Sequence, residues 1–137
     1  MISNLSEFDE VNILASGANW AWPNALGQIF RPRGVNLLVA NTAEESVDFL
    51  ERKRIQTAIV DMDSKKNNGL AAMKIIRMDF PQLPCILLKK QAKQSLLDKA
   101  LILDVFSVID KPVNLELLRE QLNRLFIKKY NSNIFAA

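Results

Sequence analysis

Short apolar runs and amphipathic stretches alternate five times along this chain. The runs are Val11-Asn12-Ile13-Leu14-Ala15-Ser16, Val35 to Ala40, Thr57-Ala58-Ile59-Val60-Asp61, Cys85 to Leu88 and Val105 to Ile109. Runs this short, rich in Val, Ile and Leu and bounded by turn residues, predict strands buried on both faces. The stretches between them carry apolar residues at helical spacing and predict helices that cover such a sheet.

Start and stop signals support each helix. Pro23 can open the first at its leading position, with Leu26, Ile29 and Phe30 turned inward, and Arg31-Pro32-Arg33-Gly34 ends it. Thr42-Ala43-Glu44-Glu45 reads as a capping box, with Ala43, Val47 and Leu50 as the inward stripe that follows. The helix from about Gly69 offers Leu70, Met73 and Ile76 before Phe80-Pro81 stops it, and Pro84 introduces the fourth strand. A further helix carries Leu96, Ala100 and Leu101. Asn114 caps the last, where Leu115, Leu118, Leu122 and Leu125 recur. The segment 129–137 has no pattern of its own and reads as a tail or the start of a linker, and residues 1–10 as a lead-in to a domain spanning 11–128.

Five β-α units of this kind predict an α/β fold, a doubly wound, five-stranded parallel sheet of the flavodoxin-like type with order 2-1-3-4-5 and helices on both faces. The loops after strands 1, 3, 4 and 5 then converge on one edge. They bring Gly17, Ala18, Asp61, Lys89 and Lys111 to a single crevice.

Composition narrows the chemistry. The 137 residues suit one domain, and 24% charged with 49% hydrophobic residues is ordinary globular usage. Cys85 is the single cysteine and sits inside an apolar run, so no disulfide forms within the chain and a cytoplasmic setting fits. No run reaches the roughly 20 apolar residues that cross a bilayer, and Met1-Ile2-Ser3-Asn4 does not open a signal peptide. The net charge of +3 is modest and its lysines and arginines are dispersed, which argues against nucleic-acid binding by this domain. Histidine is absent, which removes histidine acid–base catalysis, metal ligation and phosphotransfer.

Asp61 at the end of the third strand, Gly69 eight residues later, Leu83-Pro84 before the fourth strand and Lys111-Pro112 after the fifth carry a resemblance. Together with the β-α alternation, the chain from about Val11 to Lys128 resembles the receiver domain of two-component response regulators, the CheY-like family. The resemblance implies a signalling module rather than an enzyme, working in a phosphorelay. It implies Asp61 as phosphoacceptor, Lys111 as the lysine that contacts the phosphoryl group, and Mg²⁺ held by Asp61, the backbone carbonyl of Asp63 and an acidic pair after the first strand. The partner it implies is a sensor histidine kinase or another signalling protein.

The chain departs from that pattern at several places. Gly17 and Ala18 stand where the acidic pair belongs, and a shift of register brings in only Ser16 or Asn19. Mg²⁺ binding is accordingly expected to be weak, because the ion requires hard, ionised oxygens. Lys89 replaces the switch hydroxyl, Val108 replaces the switch aromatic, and Lys65 replaces a loop proline. Lys89 and Lys111 flanking Asp61 would stabilise its charge without a metal. Opposite unit charges ~4 Å apart gain about 4 kcal/mol at an effective dielectric of 20, before desolvation.

Two functional classes follow: a receiver that still accepts a phosphoryl group on Asp61, and a pseudo-receiver that works as a protein-binding module. A flavodoxin-type ligand binder is a third. Ala15-Ser16-Gly17-Ala18-Asn19 lacks the phosphate loop that a flavin phosphate needs, and no organic cofactor is expected. The Asp63 side chain could partly compensate for the missing acids, although most loop aspartates are simply solvated. Trp20 and Trp22 read as packing at the entrance of the first helix, and Lys65-Lys66-Asn67-Asn68 as a solvated loop open to an acidic partner. Leu117, Phe126 and Ile127 lie off the last helix's stripe and leave room for a homodimer.

Overall fold

The computed structural model describes residues 10–17, 23–63, 69–90 and 104–137. Its elements in chain order are β1 (Val11–Ser16), α1 (Pro23–Phe30), a 3-10 turn (Arg31–Arg33), β2 (Val35–Ala40), α2 (Ala43–Arg52), β3 (Thr57–Asp61), α3 (Gly69–Asp79), β4 (Cys85–Lys89), β5 (Ser107–Asp110) and α4 (Leu115–Tyr130). The expected helix with Leu96, Ala100 and Leu101 lies outside the described residues, as do Ala18, Asn19, Trp20, Trp22 and the loop Lys65 to Asn68. Three strands and the capping positions fall where the apolar runs and turn residues put them. β5 starts two residues later than expected, because Val105 and Phe106 form the bend leading into it.

All strand pairs are parallel, in the order β2-β1-β3-β4-β5, as the β-α alternation requires. Alternate residues of each strand feed two cores. Ile13, Ile59, Ile86, Leu88 and Ile109 meet Leu26 and Phe30 of α1 and Leu118, Leu122 and Leu125 of α4. Leu14, Ala58, Val60, Cys85 and Leu87 meet Leu50, Met73 and Ile76 on the other face. Burial on both faces explains why the central strands β1, β3 and β4 are predominantly apolar instead of alternating with polar residues.

The helices differ from the expected stripes in detail. Ser46 and Leu50 are the buried residues of α2, with Ala43 and Val47 only half-buried. Ser46 is tolerated inside because its Oγ lies 2.8 Å from Ser16 Oγ and also donates to the Thr42 carbonyl. In the box at the head of α2, Thr42 Oγ1 accepts from the Glu45 amide, while the Glu45 carboxylate turns to the Thr42 hydroxyl and not to its amide. Leu70 is half-buried, and Ala72 joins Met73 and Ile76 inside.

The C-terminal segment departs most from expectation. α4 continues to Tyr130, and Asn131 ends it in the left-handed region with its amide bonded back to Ile127 and Phe126. The chain then folds back. Phe135 is fully buried, with its ring 4.9 Å from that of Phe126 and 5.8 Å from that of Phe30. Arg119 Nη1 donates to the Phe135 carbonyl at 2.5 Å, and the Arg33 guanidinium lies 5.9 Å from the Phe135 ring centre. Residues 131–137 therefore belong to the domain, and Phe126 is core and not free surface. Leu117 and Ile127 of the same helix are exposed.

Candidate functional site

The crevice lies at the C-terminal ends of the parallel strands. Asp61 is the last residue of β3, pairing in register with Leu88 of β4, while Lys89 pairs with Asp110, the residue before Lys111. Backbone bonds from the Met62 amide to the Leu88 carbonyl and from the Lys111 amide to the Lys89 carbonyl, each 2.9 Å, continue the sheet's ladder through this edge. The three strand ends are thereby held level, and their side chains meet.

Asp61 is almost fully buried. Its Oδ1 accepts from Lys111 Nζ at 2.5 Å and from the Asp63 amide at 2.9 Å. The second bond is an Asx-type turn that fixes the exit of the chain from β3. Gly69 is needed just beyond it: a Cβ there would lie 2.9 Å from both the Asp61 carbonyl oxygen and Met62 Cα, so the start of α3 can close over the strand end only without a side chain. Lys111 precedes Pro112 across a cis peptide bond.

Asp63 is the residue that sequence reasoning undervalued. Its carboxylate is only partly exposed, and both oxygens are engaged. Oδ1 accepts from Lys89 Nζ at 2.6 Å, Oδ2 accepts from the Lys90 amide at 2.6 Å, and Lys111 Nζ stands 3.5 Å from Oδ2. Partial burial opposes ionisation of Asp63, but the hydrogen bonds from Lys89 and Lys90 and the charges of Lys89 and Lys111 prevail and hold its carboxyl below the usual range. The available signal was its place two residues past Asp61, at an edge where β4 finishes in Lys89 and Lys111 follows β5.

Lys89 is thus brought to the crevice as expected but bonds Asp63 and not Asp61. The reason is geometric: Asp63 faces the start of the loop after β4, where its Oδ2 also takes the Lys90 amide. Two carboxylates and two ammonium groups form one chain of contacts, Asp61 to Lys111 to Asp63 to Lys89, whose formal charges sum to zero. At the position of the expected acidic pair, Gly17 is buried with φ 74°, and its amide bonds the Ala40 carbonyl at 2.9 Å. Among the described residues, no group of three or more His, Cys, Asp or Glu side chains could hold a metal ion. Val108 packs with the core on the α3 side of the sheet.

With this strand order and strand-end site in view, the sequence matches the family model of the response regulator receiver domain over residues 21–123. The chain belongs to that family: it is a receiver domain of the two-component response-regulator type. The heme response regulator HssR of Staphylococcus saprophyticus is 29% identical over 97 residues, covering 71% of this chain and 42% of the relative. The chain therefore spans less than half of that relative's length. Among solved structures, a two-component response regulator from Clostridium difficile superposes with a TM-score of 0.76 at 17% identity, covering 90% of this chain and all of the other. A CheY-like receiver domain protein from Methanospirillum hungatei gives 0.71 at 22% identity, covering 88% and 99%. The non-phosphorylated HemR receiver domain from Leptospira biflexa gives 0.75 at 19% identity, covering 85% and 94%. Such structures share the fold.

Among the described residues, no helix is long and apolar enough to cross a membrane.

Proposed function

We propose that this receiver domain is a degenerate one that signals by protein–protein contact, with Asp61 at the phosphoacceptor position and with Lys111 and Lys89 holding the crevice in one charge-balanced state without a divalent ion. The observation that carries this reading is the occupancy of both carboxylates: Asp61 by Lys111, and Asp63 by Lys89, Lys111 and the Lys90 amide. Mg²⁺ requires several free hard oxygens in near-octahedral array. The donor set here fits it poorly, since Gly17 offers no side chain, Lys111 holds Asp61 Oδ1, and both oxygens of Asp63 are already engaged. In this reading the domain is not an enzyme. It works in the cytoplasm, its partner is a sensor histidine kinase or another signalling protein, and neither nucleic acid nor membrane is its target.

A second reading has support of its own. Lys111 reaches the oxygen of Asp61 across the crevice, as a lysine that contacts an aspartyl phosphate would, so a phosphorylatable receiver remains the alternative.

The experiment is incubation of the protein with acetyl phosphate or beryllium fluoride, with and without Mg²⁺, followed by intact mass and amide NMR spectra. An unchanged mass and spectrum support the contact-based reading. A Mg²⁺-dependent mass gain that disappears in Asp61→Asn overturns it in favour of the second.

A further inference from the structure

At the end of the sheet opposite Asp61, two hollows of about 470 and 810 Å³ open side by side. They share Pro81, Gln82, Leu83, Pro84 and Lys129, where the chain enters β4. Polar groups make up most of the smaller lining and about half of the larger, with Leu83, Pro84, Val105 and Phe106 as the apolar parts of the smaller and Leu50, Ile55 and Phe80 of the larger. Their charged lining is cationic, comprising Lys53, Arg54, Arg77, Arg124, Lys128 and Lys129 with Asp104 as the single acid.

Six of the chain's 18 cations and one of its 15 acids thus line this base, leaving 12 cations against 14 acids for everything else. The positive net charge belongs to this face, and a dispersed composition hides it. Arg124, Lys128 and Lys129 are exposed on the last turns of α4 and form no ion pair among the described residues, whereas Lys53 leans on Glu10 at 3.6 Å. Arg77 has a different task. Its Nη1 donates to the Leu83 carbonyl at 2.8 Å and its Nη2 to the Asp104 carbonyl at 3.3 Å, which ties the two margins of the smaller hollow together.

We propose that this basal face docks an acidic protein segment in which Asp or Glu alternate with apolar side chains. Charge complementarity selects the acids, and the apolar parts of the lining, most extensive in the larger hollow, receive the side chains between them. A nucleic acid fits less well. Base stacking needs presented aromatic faces, and among the described residues no aromatic is exposed, with Phe80 and Phe106 half-buried and Tyr130 buried. The face lies across the sheet from Asp61, so docking there does not depend on how the crevice functions.

The test uses the full chain and a fluorescent peptide of about a dozen alternating Glu and Leu residues, read by anisotropy, beside a Gln/Leu peptide and a single-stranded oligonucleotide of equal charge. The Glu/Leu peptide is expected to bind, to lose roughly tenfold or more in affinity as salt rises to ~0.5 M, and to outbind both controls. Arg124→Glu with Lys128→Glu is expected to weaken it about tenfold or more, while Lys74→Glu, an exposed reversal on α3, is not. Absent peptide binding, equal or tighter oligonucleotide binding, or an equal loss in Lys74→Glu overturns the proposal. Amide NMR of the unmodified protein decides the matter without variants: peptide-induced shifts at Gln82, Leu83, Val105 and Phe106 support it, and shifts confined to the crevice overturn it.

Discussion

The Asp61–Lys111 pair is the most buried ion pair among the described residues. Taking a carboxylate out of water is costly unless a counter-charge and hydrogen bonds compensate, and removing one partner of such a pair leaves the other charge stranded. Asp61 is about 1% exposed and Lys111 about 18%. Lys111→Met is therefore expected to destabilise the fold by about 3–5 kcal/mol, since Asp61 loses its only ammonium partner among the described residues. Lys89→Met is expected to cost about 1 kcal/mol or less, because Asp63 is more exposed and keeps the Lys90 amide and Lys111. Urea unfolding of both variants at neutral pH checks the order, and a Lys89 variant as damaging as the Lys111 one would contradict the geometry. The sequence placed Asp61, Lys111 and Lys89 at one edge because strand ends are legible from apolar runs. It could not assign partners, since the choice between Asp61 and Asp63 depends on side-chain reach over ångströms that residue spacing does not encode.

Among the elements, the strands were readable and the C-terminal segment was not. Doubly buried strands announce themselves as apolar runs, and helix caps such as Thr42 and Asn114 mark their boundaries by local chemistry. Residues 131–137 have no periodicity, and their main anchor is Phe135, inserted between α1 and α4 beside Phe30 and Phe126, with Ile134 against the same core and arginines on the carbonyls of Phe135 and Ala136. One aromatic with no repeat is invisible to pattern reading. Burial of such a ring is worth several kcal/mol, which makes the segment part of the fold. Phe135→Ala is expected to lower stability by about 3 kcal/mol with helix content unchanged, and truncation after Tyr130 by a similar amount. Denaturant unfolding followed by circular dichroism tests this, and a truncation without effect would restore the reading of the segment as a free tail.

At the scale of the whole molecule, the two cores lie on opposite faces of one sheet, so the behaviour of the central strands reports on the cooperativity of the domain. Cys85 is a suitable probe because it is the single cysteine and opens β4, which lies between β3 and β5. Its side chain is fully buried on the α3 side, where burial pushes the thiol up to about 11 despite the opposing influence of Arg77. The thiolate is the reactive form, so at pH 8 the folded protein presents a protonated and inaccessible sulfur, while the unfolded chain titrates in the ordinary thiol range. A thiol reagent is therefore expected to label native protein only through opening of the sheet, at a rate that rises with urea along the same curve as the loss of secondary structure. If α2 and α3 instead detached as a unit while α1, α4 and the strands stayed folded, labelling would run ahead of the circular dichroism signal. Coincidence of the two curves is the expected result, because the central strands β1, β3 and β4 are buried from both sides and neither layer can leave without exposing the apolar face of the other's support.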